Sequence, residues 1–212
     1  MEKIIIIDAP FSFDSAVFAN YGLRAVSAQQ LTEDLLSWRR WRELDPWRTL
    51  LVFPGNGANL LRREIVSINP NWLSVWPYQE ALKAKRLWEP GKPPEALVGR
   101  FGDSVYVGLK QVIVLDDVVS SGDTCRQVYR HNYPYTPGAD WLACTWVAQR
   151  SAHLRGFKGL EALVWAGTSA QRAPINSLST LIERPEICRI YAERNFPEQA
   201  QAFQEMIAAG RV

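Results

Sequence analysis

Short, unbroken apolar runs set far apart constrain this chain more than any other feature. Residues 4–7 (IIII), 50–53 (LLVF), 112–115 (VIVL), 141–148 (WLACTWVA) and 162–166 (ALVWA) carry almost no polar side chain. A strand with one wet face alternates apolar and polar residues, whereas a strand buried on both faces reads as a continuous run. The segments between the runs have helical length and punctuation. Ser27 with Gln30 three residues on is a capping-box pattern. It opens a helix to about Arg42, with Leu31, Leu35 and Trp38 on one face, and Asp45-Pro46 stops it. Doubly buried strands alternating with helices predict an α/β fold with a mostly parallel, doubly wound sheet.

Smaller elements follow from the same reading. A helix is expected from near Leu60 to Pro70, and a short strand over 73–76 and another over 105–107. Gly122 opens a helix that Pro134 ends. A last helix follows Pro197, N-capped by Asn195, with Phe203, Met206 and Ile207 as its packing residues. The connection over 77–104 is unlike the rest. It mixes Lys83, Lys85, Arg86 and Lys92 with Pro90, Pro93 and Pro94, and long connections of this kind inside a domain are usually functional or disordered. Residues 79–103 are therefore expected to be mobile until a ligand orders them.

Composition excludes several classes. A chain of 212 residues with nine Trp can bury a full core, and its formal charge of +2 lacks the basic excess of a dedicated nucleic-acid binder. Its apolar runs are too short for a bilayer, so no membrane partner is expected. Cys125, Cys144 and Cys188 form no CxxC pair and have only His131 and His153 to join them, which argues against structural zinc. Reduced thiols in a cytoplasmic protein are the expectation.

Candidate chemistry lies beyond the carboxyl ends of the buried strands, where open parallel sheets bind ligands. Two loops sit there. In residues 111–124, QVIVLDDVVSSGDT, a buried run ends on Asp116 and Asp117 and then turns through Ser120, Ser121, Gly122, Asp123 and Thr124 into a helix. Glycine permits a tight turn whose N–H groups converge on an anion, the helix start adds a positive dipole end, and the hydroxyls add donors. The carboxylates suit sugar hydroxyls or Mg²⁺. A phosphate, a diol and a metal side by side describe a phosphorylated ribose. The competing reading is a strand end with two solvated carboxylates and an ordinary N-cap. A P-loop ATPase is excluded by the lack of GxxxxGK[ST], and a receiver domain by the position of the acidic pair.

The stretch VIVLDDVVSSGDT resembles the 5-phosphoribosyl-1-pyrophosphate (PRPP) motif of type I phosphoribosyltransferases: an apolar strand, two acidic residues, two mostly apolar residues, then a hydroxyl-and-glycine loop ending in Thr. The resemblance implies a phosphoribosyltransferase-type core over about 50–167, with residues 1–48 and 170–212 as a hood on one domain. It implies that Asp116 and Asp117 engage the ribose hydroxyls and Mg²⁺, and that residues 120–124 wrap the 5-phosphate. Ser120 stands where some members have a catalytic Asp. Pro54, Gly55, Asn56 and Gly57 occupy the place of the pyrophosphate loop, which here contains no Lys or Arg. The missing cation is sought in Lys83, Lys85 and Arg86, in the region of the family's mobile loop. Trp165 stands where an acceptor base often meets an aromatic ring. The implied activity is Mg²⁺-dependent transfer of 5-phosphoribose from PRPP to an acceptor, a nitrogenous base, with release of pyrophosphate. The alternative is a regulatory protein of the same fold that senses PRPP or a nucleotide without turnover. A homodimer is left open.

Overall fold

The computed structural model describes residues 2–8, 15–81 and 108–210. Its strands and helices alternate along the chain: β1 (Lys3–Ile7), α1 (Ser15–Ala19), β2 (Leu23–Ser27), α2 (Ala28–Leu36), β3 (Thr49–Pro54), α3 (Gly55–Ile68), α4 (Trp72–Val75), β4 (Tyr78–Ala81), β5 (Gln111–Val119) and α5 (Asp123–Asn132). Then come β6 (Asp140–Gln149), β7 (Gly159–Ala166), β8 (Ile175–Ser177), α6 (Leu178–Glu183), α7 (Pro185–Asn195) and α8 (Ala200–Ala209). The main sheet has five strands in the order β4-β3-β5-β6-β7, and a smaller sheet has the order β2-β1-β8. Neighbouring strands in both are parallel.

Burial on both faces explains the apolar runs. In β3 and β5, Leu51, Phe53, Ile113 and Leu115 pack toward Ala58, Leu61 and Ile65 of α3. The alternate residues Leu50, Val52, Val112 and Val114 pack toward Cys125 and Val128 of α5. β1 is shared in the same way. Ile4 and Ile6 join the first core, while Ile5 joins Phe18, Leu178 and Phe203 beneath the C-terminal helices. The sheet order matters for function. The chain leaves β3 for one side, to β4, and returns to the other side as β5. Its connections therefore diverge between β3 and β5, and the crevice outside the carboxyl ends at such a point is the customary ligand site.

Several elements depart from the sequence reading. α2 stops at Leu36 rather than near Arg42, because later side chains take its terminal carbonyls: Ser37 Oγ donates to Glu33 O (2.7 Å) and Trp41 Nε1 to Leu35 O (2.6 Å). The expected strand over 73–76 is the short helix α4, since a brief apolar run has no periodicity to separate the two. It packs Trp72 and Trp76 around Trp41, with ring centroids 5.2 and 5.5 Å from that of Trp41. β2 was not foreseen, because its exposed Arg24 breaks the apolar pattern. Asn195 closes α7 instead of capping the next helix, and its side chain donates to Tyr191 O (2.7 Å). The strand expected over 105–107 lies outside the described residues, as does the connection from 82 onward; residues 78–81 of that connection form β4. No helix among the described residues is long and apolar enough to cross a membrane.

A buried polar contact helps to join the two ends of the chain. Asp8, fully buried after β1, accepts from Ser179 N at the start of α6 (2.9 Å) and from the Ser179 hydroxyl. Asp8→Ala strands both donors, and such losses cost about 1–3 kcal/mol. Urea unfolding is expected to show a loss of that size.

Candidate functional site

β5 delivers the acidic pair to the carboxyl edge of the main sheet, and its two-residue repeat divides that pair. From Val112 to Leu115 the even-numbered residues of β5 face α5 and the odd-numbered ones α3, and the pair continues that alternation, Asp116 toward the α5-side pocket and Asp117 toward α3; one residue later it slips, with Val118 on the α3-side core and Val119 on the α5-side core. Asp116 is buried and lines a pocket under the following turn. Asp117 is half-buried and lies against Gly57, where any Cβ would collide with its carboxylate. The ladder also continues past the pair. β5 pairs with β6 as far as Val119, and Thr145 Oγ1 of β6 donates to Asp117 O (2.8 Å). The acidic residues are thus inside the strand and not at its end.

The pocket, about 380 Å³, is bounded by Asp116, Ser120, Ser121, Asp123, Thr124 and Arg172. Gly122 makes the turn. Its φ of 81° lies in the left-handed region that glycine tolerates, and a Cβ there would strike the Leu154 side chain and stand 2.8 Å from His153 O. α5 starts at the next residue, so the N–H groups of its first turn, which lie outside the intrahelical ladder, open at the turn. Arg126 braces the turn from within α5. One guanidinium nitrogen donates to Ser121 O (3.0 Å) and His153 O, and another to the Asp123 carboxylate. Ser121 Oγ donates to Asp123 Oδ2 (2.6 Å) and accepts from Asp123 N (3.2 Å). The Ser121 hydroxyl, with Arg126 and Arg172, holds the Asp123 carboxyl below the usual range. The charge of Asp123 is therefore met by the protein itself, although it sits at the pocket rim.

Arg172 was missed by the sequence reading. It comes from the connection between β7 and β8, which also emerges at the carboxyl edge of the main sheet. That connection is held by Gln149, the last residue of β6. Its Nε2 donates to Ala173 O (2.5 Å), and its Oε1 accepts from Ala173 N (3.0 Å). Gly167 bends the chain at φ 69°, and Thr168 N donates to Gln171 O (2.8 Å). A carboxyl-edge search that included the last core strand would have found this lone arginine.

The remaining candidates are placed as follows. Pro54 ends β3 and is the N-cap of α3, and Gly55, at φ 78°, turns the chain directly into the helix. Residues 55–57, including Asn56, are thus the first turn of α3 and not an open loop. The first turn of α3 presents its positive end close to the Asp117 carboxylate. Arg62, further along α3, pairs with Glu80 of β4 (3.1 Å). Trp165 is in β7 beside Ala148 and is 37% exposed, but it lines neither cavity next to the motif. Lys83, Lys85 and Arg86 lie outside the described residues. Cys125, Cys144 and Cys188 are free and buried, and burial pushes the Cys144 thiol up, which leaves it inert. No group of three metal-ligating side chains occurs among the described residues. Asp116 alone nevertheless fits Mg²⁺, which takes one or two protein carboxylates and draws its other oxygens from substrate and water.

The sequence matches no protein-family model and no curated protein. Solved structures with similar chain traces include a purine phosphoribosyltransferase from Pyrococcus horikoshii, 13% identical, covering 70% of this chain and 85% of its own, with a TM-score of 0.46. A xanthine-guanine-hypoxanthine phosphoribosyltransferase from Helicobacter pylori is 12% identical, covering 88% and 99%, with a TM-score of 0.43. A hypothetical protein from Neisseria gonorrhoeae with bound ppGpp is 12% identical, covering 100% and 99%, with a TM-score of 0.47.

Gln149→Leu tests how Arg172 is placed. The substitution leaves the Ala173 N–H and C=O unpartnered, at a cost of about 1–3 kcal/mol. Thermal melts are expected to show that loss; if the pocket beside Arg172 takes a phosphorylated sugar, calorimetry with ribose 5-phosphate is expected to show weaker binding by the variant.

Proposed function

We propose that the protein binds the 5-phosphoribosyl group of PRPP at the turn from β5 into α5 and transfers it to a nitrogenous acceptor, releasing pyrophosphate. The observation that carries this reading is the pocket itself: a left-handed glycine turn, a helix N-terminus, hydroxyls at Ser120 and Thr124, and the Arg172 guanidinium, with the buried Asp116 along one wall. Backbone N–H groups and a guanidinium suit a phosphate dianion. The carboxylate beside them suits the ribose hydroxyls. The sequence motif and this pocket coincide residue for residue from Ser120 to Thr124.

In this mechanism the chain's work is electrostatic. The bond from the anomeric carbon to the pyrophosphate oxygen breaks as the acceptor nitrogen bonds to the same carbon, and positive charge develops on the sugar. Asp116 holds the ring hydroxyls so that the anomeric carbon faces the acceptor. The α5 N-terminus, Ser120, Thr124 and Arg172 fix the 5-phosphate end, which supplies binding energy for orientation at the distant reacting carbon. Mg²⁺, held through Asp116 and the ligand's own oxygens, would neutralise charge on the leaving pyrophosphate. Lys83, Lys85 and Arg86 are proposed to face that pyrophosphate.

A second reading has one specific observation in its favour. Asp117 lies against the first turn of α3, where a pyrophosphate would seek backbone donors. A chain that fills this seat with its own carboxylate would bind PRPP or a nucleotide as a signal without releasing pyrophosphate. A pyrophosphate-release assay with PRPP, Mg²⁺ and a panel of nitrogenous bases separates the two. Release is expected with at least one base. Arg172→Gln loses a charge-assisted contact worth about 1.5–3 kcal/mol, so kcat/KM for PRPP should fall by about one to two orders of magnitude. Tight PRPP binding with no release in any mixture would favour the sensor.

A further inference from the structure

The larger cavity beside the motif has a charge pattern that specifies what it takes. It measures about 540 Å³ and shares Ser120 and Arg172 with the phosphate pocket, so the two spaces meet at those side chains. Its far wall comes from the C-terminal part of the chain. Asn176 of β8 and Ile190, Tyr191 and Arg194 of α7 line it. Two guanidiniums, Arg172 and Arg194, therefore face one space. No Asp or Glu among the described residues lines it, and burial pushes the Tyr191 phenol up, so that hydroxyl stays protonated at neutral pH. Arg194 has no ion pair among the described residues, whereas Arg189 on the same helix is paired with Glu193 (3.1 Å). Pro174, Ile175 and Ile187 add apolar surface that suits the face of a ring, and the neutral side chains of Gln149 and Asn195 also line it.

We infer that this cleft receives a small ring compound carrying a carboxylate, which Arg194 binds from α7 while the ring lies along the isoleucine wall. Its role as the acceptor of the phosphoribosyl group rests on the function proposed above; its preference for an acid does not. A neutral ring would leave the exposed Arg194 guanidinium to water and the cleft short of one charge-assisted contact. Discrimination of this kind comes from a site built to pair with a group that the competitor lacks. Arg172 cannot supply it alone, because it also faces the phosphate pocket and Asp123.

Calorimetric titration with two matched pairs of probes tests the inference: uracil-6-carboxylate against uracil, and nicotinate against nicotinamide. Ribose 5-phosphate is titrated into the same samples. The wild type is expected to bind at least one acid ten-fold or more tightly than its neutral partner. Arg194→Gln should abolish that preference. Its ribose 5-phosphate affinity and thermal melt serve as controls on folding, since Arg194 is exposed and outside the phosphate pocket. Equal binding of acid and neutral probes by a wild type that binds ribose 5-phosphate would overturn the inference and leave the proposed function standing. Retention of the preference in Arg194→Gln would overturn it as well. An acid preference in a protein that does not bind ribose 5-phosphate would uphold the cleft's chemistry and sink the proposed function.

Discussion

Burial of β5 on both faces is the constraint on which the other features depend. A strand clothed on one side by α3 and on the other by α5 alternates its side chains between them through the acidic pair, and only at Val118 and Val119 does the repeat slip by one residue. Asp116 and Asp117 inherit that alternation. One carboxylate is delivered to the pocket under the β5–α5 turn, and the other to the first turn of α3. The pair therefore serves two places. A Cβ at Gly57 would displace the Asp117 carboxylate from the space it occupies, and Gly122 is required because the chain turns left-handed beneath Leu154 and His153.

Charge balance around the turn then decides what it can hold. Asp123 would repel a phosphate if it stood alone. Ser121, Arg126 and Arg172 surround it, and the N–H groups of α5 lie behind it. Arg172 is the hinge between the two cavities, and Gln149 holds the backbone that carries it by pairing with both polar groups of Ala173. A phosphorylated sugar on one side of Arg172 and a flat acid on the other would meet at Ser120, which lines both spaces.

Much of this was legible in the sequence, for reasons that particular residues show. The isoleucines of residues 4–7 and the aliphatic run over 112–115 announced doubly buried strands, and parallel sheets followed from the helix-length spacing between such runs. Ser27 did cap α2, accepting from Gln30 N at 3.3 Å. The split of Asp116 from Asp117 was also present, since adjacent strand residues point apart, but the pair drew attention as a unit. Other features depend on particular side-chain contacts that no periodicity announces. The end of α2 is set by Trp41 reaching back six residues to Leu35 O, and Arg172 acquires its place through Gln149, more than twenty residues earlier in the chain. Arg194 reaches its cleft only because β1 and β8 bring both ends of the chain into one sheet.

Calorimetric titration of PRPP with Mg²⁺ into the wild type, Asp116→Asn and Asp117→Asn, alongside thermal melts, tests the phosphoribosyl pocket most directly. If Asp116 is the carboxylate that meets the ribose, its loss removes a contact worth about 1.5–3 kcal/mol, and affinity should fall about ten-fold to a hundred-fold. Asp117→Asn, on the opposite face beside Gly57, should weaken binding less. Wild-type affinity in an Asp116→Asn protein with an unchanged melt would contradict the assignment, because the Asp116 carboxylate could then not be what holds the sugar.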